Sequence, residues 1–266
     1  MTHIRLCFGL GLLSVSALAA TAPGKLLWSD EFSGAAGSKP DPSKWTYDLG
    51  ANGWGNKELE NYTDKPENAF LDGEGHLVIR AIKDAEGRFT SARMKTQGLF
   101  SFTYGRVEAR MKLPRGQGMW PAFWMLGNGI TKVGWPACGE VDVMENLGRE
   151  PAILHGTIHG PGYSGKRSIS AQYVLPGAPM LADDFHLYAA DWRPDRIEFS
   201  IDGHVYAAVN PASLPPGTKW VYDHAFFLIL NLAVGGAWPG YPDTSTVFPQ
   251  DLTVDYIHVY EAPSEK

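Results

Sequence analysis

Residues 106–113 read Arg-Val-Glu-Ala-Arg-Met-Lys-Leu, a strict alternation of charged and apolar side chains. Only a β-strand with one buried face satisfies that pattern, because successive strand side chains point to opposite sides. The alternation returns at Ile197, Phe199 and Ile201 against Glu198 and Ser200. Asp202-Gly203 follows, and then a second strand from His204 to Val209. An Asp-Gly pair between two strands predicts a two-residue hairpin, since glycine tolerates positive φ. Three further runs, 77–82, 122–126 and 226–234, are apolar on both faces. They fit strands covered on both sides inside a pair of packed sheets. Beyond the N-terminus no segment sustains a helical period. The expected fold class is all-β, an antiparallel β-sandwich.

Composition agrees where it bears on this. Thirty Gly and 19 Pro suit many strands joined by tight turns. The 266 residues are enough for one undivided core. No repeat or composition break divides them, and the Pro-rich stretch 211–216 reads as a surface loop.

The first twenty residues read differently. His3 and Arg5 precede an apolar run from 6 to 18, and Ala17-Leu18-Ala19 offers the small side chains a signal peptidase accepts. The expectation is a signal peptide over residues 1–20, cleaved after Ala19 or Ala20, and a single domain over 21–266. The protein is then secreted, to the periplasm or the medium. An N-terminal anchor or a core helix is the alternative reading of this run. Of the two cysteines, Cys7 lies in the leader, so Cys138 has no internal disulfide partner. A net charge of -6 argues against nucleic acid or an anionic membrane as a partner.

The chemistry is concentrated in Gly139-Glu140-Val141-Asp142-Val143-Met144-Glu145. Acids within an apolar strand are costly unless they face water or perform work. Glu140 and Asp142 alternate with valines and share a face. Strict alternation would place Met144 on that face and turn Glu145 away. Glu145 joins the other two only if the strand carries one extra residue, a β-bulge near Val143 or Met144. Two carboxyls on one open face can hydrolyse a glycosidic bond, one as nucleophile or water-guide and the other as proton donor. Asp142 between them would hold the acid protonated by its neighbouring charge. A cation site or a solvated acidic edge is the alternative.

Tryptophans surround this strand. Indoles stack on the flat C–H faces of sugar rings and donate one N–H. Trp28, Trp45, Trp192 and Trp220 read as core or near-core. Trp54, Trp135 and Trp238 sit among glycines and prolines and read as cleft residues. Trp124 lies within an apolar strand and fits either role.

The stretch 140–145, Glu-Val-Asp-Val-Met-Glu, resembles the active-site signature of glycoside hydrolase family 16, in its laminarinase branch. The resemblance extends through Trp28-Ser29-Asp30-Glu31-Phe32, residues 53–62, 116–126 and 134–139, His155-Gly156-Thr157, residues 159–164, and the run from Phe227 to Gly240. It implies a concanavalin A-like jelly roll and a catalytic domain that cuts internal β-1,3 bonds of laminarin-type β-glucan with retention, and possible action on mixed-linkage glucan. Glu140 would be the nucleophile and Glu145 the acid/base, and Asp142 would hydrogen-bond the nucleophile. Asn52, Arg93, Trp120, Trp124, Trp135, His159 and Trp238 match positions near the glucan, and Trp54 lies in a cleft-lining loop. For His159 a turn histidine bonded to backbone is the rival reading, and for Arg93 a solvated strand charge. No cofactor is expected for catalysis. Glu31, Gly75 and Asp255 match a structural calcium site. A monomer is expected. The alternative function is a non-catalytic β-glucan-binding protein on the same fold, in which the two glutamates are usually lost.

Overall fold

The computed structural model describes residues 24–262. The expected signal segment 1–20 lies outside them. Among the described residues, seventeen strands, numbered in chain order, form two sheets. The seven-stranded sheet runs β12 (Ile169–Val174), β11 (Ile153–His159), β10 (Glu140–Asn146), β9 (Met119–Gly127), β16 (Phe226–Val234), β7 (Arg93–Lys95) and β2 (Thr46–Asp48). The larger sheet runs β15 (His204–Val209), β14 (Arg196–Ile201), β13 (His186–Arg193), β8 (Gly105–Lys112), β17 (Gln250–Tyr260), β5 (Leu77–Lys83), β6 (Phe89–Ser91) and β3 (Glu60–Tyr62). Two more strands join it, β1 (Leu26–Asp30) on β17 and β4 (Ala69–Leu71) on β5. Every pairing is antiparallel except β3 with β6. The expected antiparallel sandwich is the architecture found.

The core lies between the sheets. Val107, Ala109 and Met111 of β8 meet Phe123 and Met125 of β9 and Leu228, Leu230 and Leu232 of β16 there. β16 is buried along all nine residues. Its other face joins a second apolar cluster, in which Phe227 and Ile229 pack with Leu126, Cys138, Trp124 and Ile130. Those side chains explain why 226–234 and 122–126 read as apolar on both faces. Asp202 (φ 50°) and Gly203 (φ 78°) both take the left-handed backbone of a type I′ turn, closing β14 onto β15 as expected.

The outward face of β8 differs from the expected solvated face. Arg106 and Glu108 are buried, because Arg106 pairs with Glu108 at 2.7 Å and with Asp191 at 2.6 Å. Paired charges can be removed from water where lone ones cannot. Among the described residues no helix is long and apolar enough to cross a membrane. One helical turn, Ile130–Val133, lies between β9 and β10.

Candidate active site

β10 is bulged. Against β9, Asp142 pairs with Trp124 but Met144 pairs with Phe123, so Val143 is the extra residue. Against β11, Asp142 pairs with Thr157 and Glu145 with His155. Val141, Val143 and Met144 all enter the inter-sheet core. Glu145 is thereby returned to the face that carries Glu140 and Asp142.

The pairings lay out that face as rows across the sheet. One row reads Gln172, His155, Glu145, Ala122, Asn231, Arg93 and Asp48 from edge to edge. Asp142 lies in the next row, beside Thr157 and Trp124. Glu140 lies in the one beyond, between His159 and Leu126.

Each acid has its own partners. Trp135 donates Nε1–H to Glu140 Oε2 at 2.7 Å. Trp120 donates Nε1–H to Glu145 Oε1 at 3.0 Å. His159 Nδ1 accepts the Gly165 N–H at 3.1 Å, which leaves the ring proton on Nε2. That nitrogen stands 3.1 Å from Asp142 Oδ2 and 3.7 Å from Glu140 Oε1. Both readings of His159 are therefore met at once, one by each ring nitrogen.

Burial raises the proton affinity of all three carboxyls. Glu140 is pushed up to about 8, by burial first and then by Asp142, against the pull of His159 and Trp135. Burial lifts Asp142 to about 7, and a hydrogen bond shared with Glu140 opposes the rise. Glu145 is held well above the usual range, by burial and then by the Asp142 charge. Near neutral pH the site thus carries fewer charges than carboxyls. Glu140 and Asp142 favour sharing a proton, and burial favours the protonated form of Glu145, as a proton donor requires.

The aromatic residues divide as expected. Trp45 and Trp192 are buried, Trp28 and Trp220 pack against the core, and Trp135 and Trp238 are exposed. Trp238 meets Trp120 edge-on, with ring centroids 5.5 Å apart, and approaches His155 at 5.1 Å. Trp124 is half-buried with its Nε1–H on Asn231 Oδ1 at 2.8 Å. The Arg93 guanidinium lies 4.7 Å from the Trp124 ring and 4.9 Å from the Trp54 ring, and its Nε stands 3.0 Å from Asp48 Oδ2. Arg93 is a packed bridge between two indoles, not a solvated strand charge. Asn52 caps the turn that carries Trp54, accepting the Trp54 N–H at 2.9 Å. In this arrangement its side-chain oxygen is committed to the loop. A cavity of about 210 Å³ adjoins this end of the face, lined by Arg93, Lys95, Asp48, Ile130, Phe227 and Ile229 among others.

Three residues were not singled out from the sequence as site candidates: His155 and Asn231 on this face, and Tyr62, which reaches Asn231 from β3 of the larger sheet. His155 had a signal, since it alternates with Thr157 and His159 and so shares their face. Asn231 had none, being a single polar residue in an apolar run, and Tyr62 had none, since its partners come from a distant strand.

Two of the expected calcium residues have side-chain partners within the protein. Glu31 Oε1 bonds His258 Nε2 at 2.7 Å, and Asp255 Oδ2 accepts from Arg110 at 2.6 Å. Gly75 occupies a turn with φ 92°. A hard cation takes oxygen ligands, and backbone carbonyls at these positions could supply them beside the carboxylates.

Residues 56–258 match the family described as Glycosyl hydrolases family 16. The chain is 43% identical over 246 residues to a beta-glucanase of Rhodothermus marinus, covering 89% of this chain and 85% of that one. The catalytic domain of an endo-1,3-beta-glucanase (laminarinase) from Thermotoga petrophila superposes with a TM-score of 0.84 at 50% identity, over 90% of this chain and 98% of that one. The laminarinase from Rhodothermus marinus gives 0.82 at 42% identity, over 89% and 97%.

Proposed function

The chain belongs to glycosyl hydrolase family 16 and is a glycoside hydrolase, and on that premise we propose that it is an endo-β-1,3-glucanase of the laminarinase type acting with retention. The observation that carries the reading is the bulge that turns Glu140, Asp142 and Glu145 to one face with separate hydrogen-bond partners.

In this scheme Glu140 attacks the anomeric carbon of a glucosyl unit as the proton it shares passes to Asp142. Glu145 gives its proton to the departing glycosidic oxygen. A glycosyl ester on Glu140 forms, and the shortened glucan leaves. Glu145, now a carboxylate, takes a proton from water. The hydroxide so made attacks the anomeric carbon, breaks the ester and regenerates Glu140. Two inversions leave the β-configuration unchanged. Asp142 neutralises Glu140 when it is a leaving group and releases it when it is a nucleophile. Trp120, Trp135 and Trp238 supply indole surface beside the scissile bond.

Residues 1–20 are read as an export signal, and the intact mass of protein recovered outside the cytoplasm tests that reading. The activity is tested by release of reducing ends from laminarin, with lichenan and curdlan in parallel. Glu140→Ala is expected to abolish release while leaving the far-ultraviolet spectrum intact. Substantial activity in that variant would refute the assignment. Release from lichenan at a comparable rate would widen the substrate to mixed-linkage glucan. Proton NMR of the first product tests retention, which predicts a β-anomer ahead of mutarotation.

A further inference from the structure

Residues 58 and 60 carry two carboxyls that the reaction scheme does not use. Glu60 is fully buried, at 0% exposure. Its Oε2 accepts the Val234 N–H at 2.6 Å. Its Oε1 meets no N–H or O–H donor. The remaining neighbour is Glu58, with which it shares a hydrogen bond. Both Glu58 oxygens already accept, Oε1 from Asn56 Nδ2 at 2.9 Å and Oε2 from Tyr62 OH at 3.1 Å. The proton between the two carboxyls is therefore assigned to Glu60 Oε1, which donates to Glu58.

The chain of bonds continues from there toward the glucan face. Tyr62 OH, having donated to Glu58, accepts from Asn231 Nδ2 at 3.1 Å. Asn231 Oδ1 accepts from Trp124 Nε1 at 2.8 Å. From Trp124 through Asn231 and Tyr62, every donor points the same way, toward Glu58. Reversing the Asn231 amide would break both of its bonds, so the direction is determined from end to end. Trp124 sits beside Asp142 in the pairing of β9 with β10, and Arg93 covers its ring.

We infer that buried Glu60, acting through Glu58, Tyr62 and Asn231, is a positioning residue that orients the Trp124 indole on the floor of the glucan groove and so governs substrate binding more than bond cleavage. The inference rests on the reading of this face as a glucan groove. The same carboxyl holds the end of β16 through the Val234 N–H, and beside it Val234 O accepts the Leu59 N–H at 2.9 Å. Burial pushes Glu60 up to about 9, so the proton is retained at neutral pH. The charged or titratable groups facing it are Glu58 and Tyr62 on its own segment and, on β7, Arg93, whose charge is felt at Tyr62.

Two variants and one signal test this. Tyr62→Phe removes the link between Glu58 and Asn231 without altering charge. It is expected to raise KM for laminarin about fivefold, as one lost neutral hydrogen bond predicts, with a smaller change in kcat. Glu60→Leu is expected to raise KM similarly, and Glu60→Gln, which keeps both a donor and an acceptor, to restore it toward the wild-type value. The indole N–H resonance of Trp124, identified by its loss in Trp124→Phe, provides a readout that needs no substrate. In wild-type protein it is expected to move as pH passes about 9, and in Glu60→Gln to stay still over that range. Unchanged KM in folded Tyr62→Phe, or the same alkaline movement of the resonance in Glu60→Gln, would overturn the inference. Absence of laminarin hydrolysis by the wild type would sink the functional reading alone, and the resonance would still report on the relay.

Discussion

Trp135, in an exposed loop, donates its indole N–H to the half-buried carboxylate of Glu140 at 2.7 Å. A side chain available to stack on sugar is thus also wired to the proposed nucleophile. Its N–H stabilises the charged form of Glu140 against the burial that raises it. Trp135→Phe keeps most of the apolar surface and deletes that bond. It is expected to lower kcat/KM on laminarin by about tenfold, as loss of a charge-assisted hydrogen bond predicts. The acidic limb of the kcat/KM profile should also move to higher pH. A profile with wild-type limbs would show the bond to be irrelevant to ionisation.

Glu145→Gln removes the proposed proton donor and leaves the shape of the site. Turnover of laminarin should fall by about 10²–10⁴-fold. An aryl β-glucan oligosaccharide with a good leaving group needs no protonation, and its cleavage should suffer far less in the first step. Equal losses on both substrates would contradict the assigned role. Because the variant removes an ionisable group held well above its usual range by burial, its melting temperature at pH 8 should match or exceed that of the wild type.

The raised carboxyls also set how stability depends on pH. Glu140 moves from 4.5 to about 8, Asp142 from 3.8 to about 7, and Glu60 from 4.5 to about 9. In each case the folded state holds the proton more tightly than the unfolded chain. The contribution of each is complete below the unfolded value and is lost as pH rises through the folded one. Thermal stability should therefore decline between about pH 5 and 9 from these groups, and Asp142→Asn or Glu60→Gln should flatten the decline. Calorimetry across that range checks it. A wild-type curve rising with pH, unaltered by both variants, would mean that these carboxyls are ionised in the folded protein.

Deleting Met144 restores strict alternation, with Asp142 two positions and Glu140 four positions before the terminal glutamate. That glutamate still faces the groove, because four steps along a strand preserve the face. The variant should fold and keep measurable laminarin hydrolysis. It should lose roughly 2–4 kcal/mol of stability from the missing core side chain, which is fully buried. Complete inactivity in a folded variant would show that the bulge itself, beyond the shared face, positions the acid.

Much of this architecture is legible from side-chain alternation alone. The strands at 106–113 and 197–201, the Asp202-Gly203 turn and the need for a bulge before Glu145 all follow from period two. What alternation does not reveal is where a polar face is covered. Arg106 and Glu108 alternate like solvated residues yet are buried, because Asp191 from a strand 85 positions away completes an ion pair. Asn231 and Tyr62 are equally hidden, since their roles depend on partners brought together only by sheet order. The partners of Glu31 and Asp255 are hidden for the same reason: His258 and Arg110 reach them from neighbouring strands.

Because the surplus residue of β10 is absorbed against both adjoining strands, and regular pairing resumes at Glu145 with His155 and Ala122, a loss or gain of one codon there would leave the rest of the sheet in register. The distance between the reacting groups is then open to heritable adjustment by a single in-frame event, independently of the residues that make the sandwich fold.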